Sequence, residues 1–224
     1  MTEIKWLLFD FGGCLDSDGV HSRSLFMDQF IKHGLIVDQV AFQEAYTCSD
    51  RHLSDDSLMI NSTLLEMNQQ MCFAIAEMLS IQLDPKVSEA AKAITQIQSY
   101  YLKRNKGVLE LLAPNYKLGI ISNFSGNLRK ILDEFSLTSY FNFIIDSHHV
   151  GVSKPNPAIF NLAILKCDTN SSNICFIGDN IERDIAPANR LGMKTVLISP
   201  LSRISSADYT LSSVEKLLVL TQTI

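Results

Sequence analysis

The sequence predicts an α/β fold in three layers, a parallel sheet covered by helices on both faces, with a helical segment inserted after the first strand. Three observations predict it. Short apolar runs alternate with single helical stretches in the second half of the chain, those runs are apolar on both faces, and a glycine-poor helical stretch separates them from a first apolar run. That first run, Lys5–Phe9 (KWLLF), stops at Asp10 ahead of Gly12 and Gly13 and reads as a buried strand entering a tight turn.

From Ser22 to about Tyr101 apolar residues recur at helical spacing: Leu25, Phe26, Phe30 and Ile31, then Leu64, Leu65, Met71, Ile75 and Leu79. Asp38 ahead of Val40 and Phe42, and Asp84-Pro85 ahead of Val87, have the chemistry of helix starts, where a short acid or a first-turn proline suits unpaired N–H groups. Four helices are expected here. Phe26, Met27, Phe30, Met67, Met71 and Phe73 share the spacing and are expected in the core of this segment. After Gly107 the expected strands are Lys117–Ser122, Phe143–Asp146, Asn173–Gly178 and Thr195–Ile198. The helical stretches between and after them are Asn127–Phe135, Pro157–Cys167, Glu182–Leu191 and Ser213–Leu220.

Composition bounds the rest. The chain has 224 residues, 46% hydrophobic and 19% charged, with a formal net charge of −5, enough for a buried core in one or two domains and unlike a disordered or fibrous chain. No run approaches the ~20 apolar residues of a membrane span, so no membrane partner is expected. The first ten residues lack the basic start and long apolar stretch of a secretory signal, which leads to an expected cytoplasmic location. Cys14, Cys48, Cys72, Cys167 and Cys175 lie far apart without a CxxC pair, and are expected as reduced core thiols rather than disulfides or zinc ligands. Nineteen basic residues against 24 acidic ones, with no basic cluster longer than Lys103-Arg104, give no footprint for nucleic acid. Oligomeric state is not readable from one sequence.

An open parallel sheet places its ligand crevice at the carboxyl ends of its strands. Asp10, Ser122-Asn123 and Gly178-Asp179 stand at such ends, and Lys154 follows the Phe143–Asp146 strand. Two carboxylates, a hydroxyl with an amide, and a lysine form a set suited to phosphate and a hard divalent cation such as Mg²⁺, which prefers oxygen ligands and shares itself with substrate phosphate.

The run Asp10–Asp16 (DFGGCLD), IISN at Ile120–Asn123, VSKPNPAIF at Val152–Phe160 and FIGDNIERD at Phe176–Asp184 resemble, in order and spacing, the four motifs of the haloacid dehalogenase-like (HAD) superfamily. The resemblance covers essentially the whole chain. It implies a Rossmann-like catalytic core of residues 1–15 and 106–224 with a helical cap domain of residues 16–105. It also implies Mg²⁺-dependent hydrolysis of a small phosphorylated metabolite through an aspartyl-phosphate on Asp10. By the same resemblance Asp10, the Gly12 carbonyl, Asp179 and Asp184 hold the metal; Ser122, Asn123 and Lys154 bind the phosphoryl group; Asp10, Ser122 and Lys154 are catalytic.

One position departs from the pattern. Family phosphatases carry a second aspartate, the acid and base for the leaving group, where this chain has Gly12. General acid–base help is worth about 10²–10⁴-fold, so good leaving groups would suffer least. Asp16, Asp18 and His21 are candidate substitutes, although Asp16 and Ser17 also suit a turn that leaves the sheet. Two other functions stay open: a metal-independent 2-haloacid dehalogenase, which would have little use for paired acids at 179 and 184, and a weakly active or inactive binding protein. Asn180 is expected to support the Asp179 loop. His148-His149, read as extended, would point to opposite faces and not form a metal pair. His33 and His52 are expected at helix ends or on the surface, and Arg23, Tyr46 and Arg51 are candidates to face a substrate.

Overall fold

A computed structural model of the chain describes residues 3–35, 38–54, 57–82, 85–201 and 205–221. Among these residues six strands form one sheet: β1 (Trp6–Phe9), β2 (Lys117–Ser122), β3 (Phe143–Asp146), β4 (Ile174–Gly178), β5 (Lys194–Ile198) and β6 (Tyr209–Leu211). Their order is β3-β2-β1-β4-β5-β6, and every neighbouring pair is parallel. The first five match the expected runs to within a residue at each end. The last was not expected, because Tyr-Thr-Leu is short and half-exposed, and its pairing with β5 comes from tertiary packing rather than from an apolar run.

Alternation along each strand divides the sheet's two faces. Leu7, Phe9, Leu118, Ile120, Cys175, Ile177, Val196 and Ile198 point to one core, shared with Leu109, Leu112, Leu128, Ile131 and Leu132 from covering helices. Trp6, Leu8, Ile121, Ile174 and Phe176 point to the other, shared with Ile159, Phe160, Ala163 and Ala188. Each fully buried large apolar side chain contributes roughly 1.5–3 kcal/mol. Burial on both faces is why these strands read as continuous apolar runs.

Among the described residues, four helices lie between β1 and β2: α1 (Ser22–Lys32), α2 (Gln39–Ser54), α3 (Leu64–Met78) and α4 (Pro85–Leu112). Asp38 accepts from the N–H groups of Val40 and Ala41 at 3.0 and 2.9 Å and opens α2 as expected. Asp84 lies outside the described residues. Thr63 and Glu66 form a reciprocal cap at the start of α3. The helices enclose a third apolar cluster containing Phe26, Phe30, Phe42, Met71, Ile75 and Ile94, with the Phe30 and Phe42 rings 5.2 Å apart. Met27 and Met67 pack against it, whereas Phe73 is 36% exposed and Ile31 56%, both turned away from the stripe their spacing suggested. The long α4 runs unbroken through position 105: Val87–Ile94 belong to the helical cluster, and Leu102–Leu112 to the sheet core.

The remaining helices are α5 (Leu128–Glu134), α6 (Ser147–Val150), α7 (Pro157–Cys167), α8 (Ala186–Arg190) and α9 (Leu217–Leu220). The expected Glu182–Leu191 helix is divided into a wide turn at Ile181–Ile185 and the short α8, with Asn180 capping the turn. α6 corrects the reading of His148 and His149 as extended. Asp146 accepts from the His148 N–H at 3.0 Å and starts a helical turn there. Cys14, Cys72, Cys167 and Cys175 are buried, as expected, and Cys48 is exposed; none is in a disulfide. Among the described residues no helix is long and apolar enough to cross a membrane.

Candidate active site

The strand order runs outward in both directions from β1 and β4, and the chain leaves β1 at the centre of the rim. Asp10 follows β1 directly and is 7% exposed. Its Oδ1 accepts three hydrogen bonds: from the Phe11 N–H at 2.8 Å, from Ser122 Oγ at 2.8 Å and from Lys154 Nζ at 2.8 Å. Oδ2 accepts none among the described residues, so one carboxylate oxygen is pinned and the other is left for chemistry.

Lys154 reaches this point from the loop after α6, 4% exposed, and also donates to Asp184 Oδ1 at 2.7 Å. Its Nζ stands 5.6 Å from the Phe176 ring centroid. Burial pulls its pKa down, but the adjacent Asp10 and Asp184 carboxylates outweigh that and hold it above the usual lysine range. Asn123 fixes the lysine's backbone from both sides: its Oδ1 accepts from the Lys154 N–H at 2.7 Å, and its Nδ2 donates to the Lys154 carbonyl at 2.9 Å. The Asn123 side chain is thus spent on placing Lys154.

Asp179 closes β4, and Asp184 sits in the turn that follows. Asp184 is fully buried and its Oδ2 accepts from the Asn180 N–H at 3.1 Å. Two glycines make room for these acids. A Cβ at Gly178 would lie 2.5 Å from Asp184 Oδ2, and one at Gly13, whose φ is +87°, would collide with the Asp179 carboxylate. Burial, then the charges of Asp10 and Asp184, push the Asp179 carboxyl up; burial raises Asp184 too, against the ammonium of Lys154. Asp10, Asp179 and Asp184 each bring one oxygen within 4.8 Å of the others. Three buried hard oxygen donors whose like charges need neutralising fit a divalent cation. Neither His148 nor His149 belongs to this group, and His149 Nε2 instead meets the Gly126 carbonyl at 2.9 Å.

Above the rim lies a cavity of about 820 Å³, walled below by Asp10, Gly12, Ser122, Lys154, Asp179 and Asp184 and above by the helices of the insert. Arg23, Tyr46 and Arg51, the candidates to face a substrate, line it. Asp50, Arg183, Asn68 and Gln98 line it too and were not singled out, because no local motif marks them. Among the described residues, five carboxylates and four arginine or lysine side chains face the space.

The three candidates to replace the missing acid differ in placement. Asp16 lines the cavity, 2% exposed, but both its oxygens are held: Oδ1 by the Gly13 N–H at 2.7 Å and Ser17 Oγ at 2.8 Å, Oδ2 by Gln98 Nε2 at 2.8 Å. Asp18 is drawn out of the site, paired to Arg104 at 2.7 Å and accepting from the Val214 N–H at 2.9 Å. His21 lines the cavity and accepts on Nδ1 from the Arg23 N–H at 3.2 Å. Asn180 caps the turn after Asp179, consistent with support of that loop.

A parallel sheet in this order, with acids at the ends of its central strands and a helical insert over them, sets a carboxylate rim in the ligand crevice of an open α/β sheet. The chain belongs to the haloacid dehalogenase-like hydrolase family, whose model matches residues 34–198. It is 33% identical over 95 residues to the haloacid dehalogenase-like hydrolase domain-containing protein 3 of Danio rerio, covering 42% of this chain and 39% of that one. It is 32% identical over 92 residues to the ribulose-1,5-bisphosphate 5-phosphatase of Halopiger xanaduensis, 41% of this chain and 38% of the other. These matches thus span about two fifths of each relative's length. An L-2-haloacid dehalogenase from Xanthobacter autotrophicus, solved with chloropropionic acid covalently bound, superposes with a TM-score of 0.62 over 99% of each chain at 16% identity, a likeness of fold alone.

Proposed function

We propose that the protein is a Mg²⁺-dependent phosphomonoesterase acting on a small phosphorylated metabolite. The carrying observation is the buried cluster of Asp10, Asp179 and Asp184, with Lys154 bonded to two of its members. A phosphatase named among the relatives supports the same reading. The residues that would hold the cation are Asp10, the Gly12 carbonyl, Asp179 and Asp184. When bound it supplies Lewis-acid charge that offsets the phosphate dianion.

The chain's own groups supply the rest. Ser122 and Lys154 orient Asp10 through Oδ1, and the Asp10 carboxylate attacks phosphorus. The bond from phosphorus to the substrate's organic oxygen breaks, and that oxygen leaves with the electron pair and takes a proton from water. A second water then attacks the phosphorus of the aspartyl-phosphate, releases inorganic phosphate and restores the carboxylate. Lys154 lowers the repulsion between two anions, with Ser122 and the Asn123 backbone N–H beside the phosphoryl oxygens. The helices of residues 16–105 act as a cap over a core of residues 1–15 and 106–224, and the cavity between them takes the organic part of the substrate. The unpaired thiols fit a cytoplasmic location.

A metal-free dehalogenase is the poorer reading, since Lys154 alone would then have to offset three buried carboxylates. The test is turnover of sugar, nucleoside, acyl and aryl phosphates and of 2-haloacids, with Mg²⁺ or chelator, on wild type and Asp10→Asn. Phosphate release that needs both Mg²⁺ and Asp10 is expected. Chelator-insensitive loss of halide from a 2-haloacid, phosphate release by Asp10→Asn, or binding without any turnover would overturn the proposal.

A further inference from the structure

Asp16 is buried, and burying a carboxylate is costly unless its oxygens are met by donors. Its Oδ1 accepts from the Gly13 N–H at 2.7 Å and its Oδ2 from Gln98 Nε2 at 2.8 Å. An aspartate that only ties a turn bonds the backbone two residues ahead of it. This one reaches back three residues, into the loop that carries Gly12. Gly12 and Asp16 both line the cavity, and Gly13 is packed so closely against the Asp179 carboxylate that a Cβ would collide with it.

The Gly12–Gly13 peptide is trans, so its N–H and C=O point in opposite directions. Holding the Gly13 N–H on Asp16 therefore aims the Gly12 carbonyl away from Asp16 and keeps the peptide from rotating. A charged acceptor also polarises the peptide, leaving its carbonyl oxygen more negative. Gln98, buried on α4, fixes Asp16 in turn. Its Oε1 accepts from Asn68 Nδ2 at 2.7 Å, Asn68 Nδ2 also donates to Thr95 Oγ1 at 2.9 Å, and Thr95 Oγ1 donates to the Ala91 carbonyl at 2.8 Å. With Oε1 engaged, Gln98 presents its N–H groups to Asp16. The carboxylate is thus clamped between the loop after β1 and a helix 82 residues further along the chain.

We propose that Asp16, clamped by Gln98, is a positioning residue for the cation: by holding the Gly13 N–H it fixes and polarises the Gly12 carbonyl as a ligand. This rests on the Mg²⁺ reading above. Both Asp16 oxygens are already accepting, so its part is to orient a ligand and not to pass a proton to the leaving group. Cation affinity accordingly depends on a side chain of the helical insert that lies on a different element from every proposed ligand.

The test is the Mg²⁺ affinity of the metal-free protein by titration calorimetry, with the Gly13 amide proton followed by NMR before metal is added. In wild type that proton should resonate far downfield and exchange slowly, as a hydrogen bond to a buried carboxylate requires, and Asp16→Ala should remove both features. Asp16→Ala should raise the Mg²⁺ Kd about 10–100-fold and Gln98→Leu about 10-fold, the usual loss when a group that orients a metal ligand is removed. Arg104→Met breaks the ion pair to Asp18 in the same connection without touching the Gly12–Gly13 peptide, so its Kd should match wild type. If Asp16→Ala does not fold, Gln98→Leu and the wild-type Gly13 resonance decide the matter. An unchanged Kd in Asp16→Ala or Gln98→Leu, an equal loss in Arg104→Met, or an ordinary Gly13 resonance in wild type overturns this inference and leaves the phosphatase reading intact. No Mg²⁺ binding by wild type overturns both.

Discussion

Restoring an acid at position 12 is the sharpest perturbation of this site. Gly12 has φ −74° and ψ 124°, a conformation open to any L-residue, and a Cβ there would meet only Ser22 Oγ, at 3.7 Å. The adjacent Gly13 is the opposite case, with φ +87° and the Asp179 carboxylate where a side chain would begin. Gly12→Asp therefore adds a carboxyl at the cavity without displacing backbone. A positioned acid is worth about 10²–10⁴-fold, or roughly 3–5 kcal/mol of barrier, when the leaving oxygen is a poor one. Turnover of glycerol phosphate should rise by that factor, and turnover of 4-nitrophenyl phosphate, whose leaving group needs little protonation, by less than about 10-fold. The assay is kcat/KM for both substrates at saturating Mg²⁺, with the thermal midpoint confirming the fold. Equal changes for the two substrates, or no gain on the alkyl phosphate, would show that the absent acid at position 12 does not limit turnover.

Three further outcomes are expected. Lys154→Met leaves Asp10 and Asp184 buried without their cation, which should cost about 3–5 kcal/mol and lower the thermal midpoint by roughly 6–20 °C at neutral pH; a midpoint within a degree or two of wild type would contradict the pairing. Burial pushes the Asp16 carboxyl from 3.8 up to about 6, so the folded state keeps a proton that the unfolded chain releases. Its contribution to stability is full below about pH 4 and falls by roughly 3 kcal/mol as pH rises to 6, so Asp16→Asn should flatten that decline in urea melts; an unchanged slope would count against it. Mg²⁺ at about 100 times its Kd should stabilise wild type by about 2.7 kcal/mol, seen as a midpoint rise of roughly 5–10 °C, and Asp179→Ala should abolish the rise.

What could be read before the structure follows from how local each signal is. Buried strands announce themselves because both faces are apolar, and β1, β2, β3, β4 and β5 lie where Lys5–Phe9 and the later runs place them. β6 carries no such run and is held by pairing at an edge. Asp10, Ser122, Lys154, Asp179 and Asp184 share one rim because each follows a strand or sits in the loop or turn beyond one, and a strand end in a parallel sheet is a position in space as well as in sequence. The network of Asn68, Thr95 and Gln98 had no such marker. It joins α3 to α4 and reaches Asp16 across 82 residues of chain, and polar side chains on amphipathic helices look alike until packing shows which of them are buried. Phe73 illustrates the converse: helical spacing alone placed it in a core that its side chain does not enter.

The central claim is that phosphate passes through Asp10. A single turnover with a phosphomonoester and Mg²⁺, quenched in acid, treated with borohydride and mapped by peptide mass spectrometry, tests it directly. Borohydride reduces an acyl phosphate to an alcohol, so homoserine is expected at position 10 in wild type and an unmodified side chain in the Asp10→Asn control. Phosphate release accompanied by an unreduced Asp10, or by reduction at any other carboxylate, would contradict it.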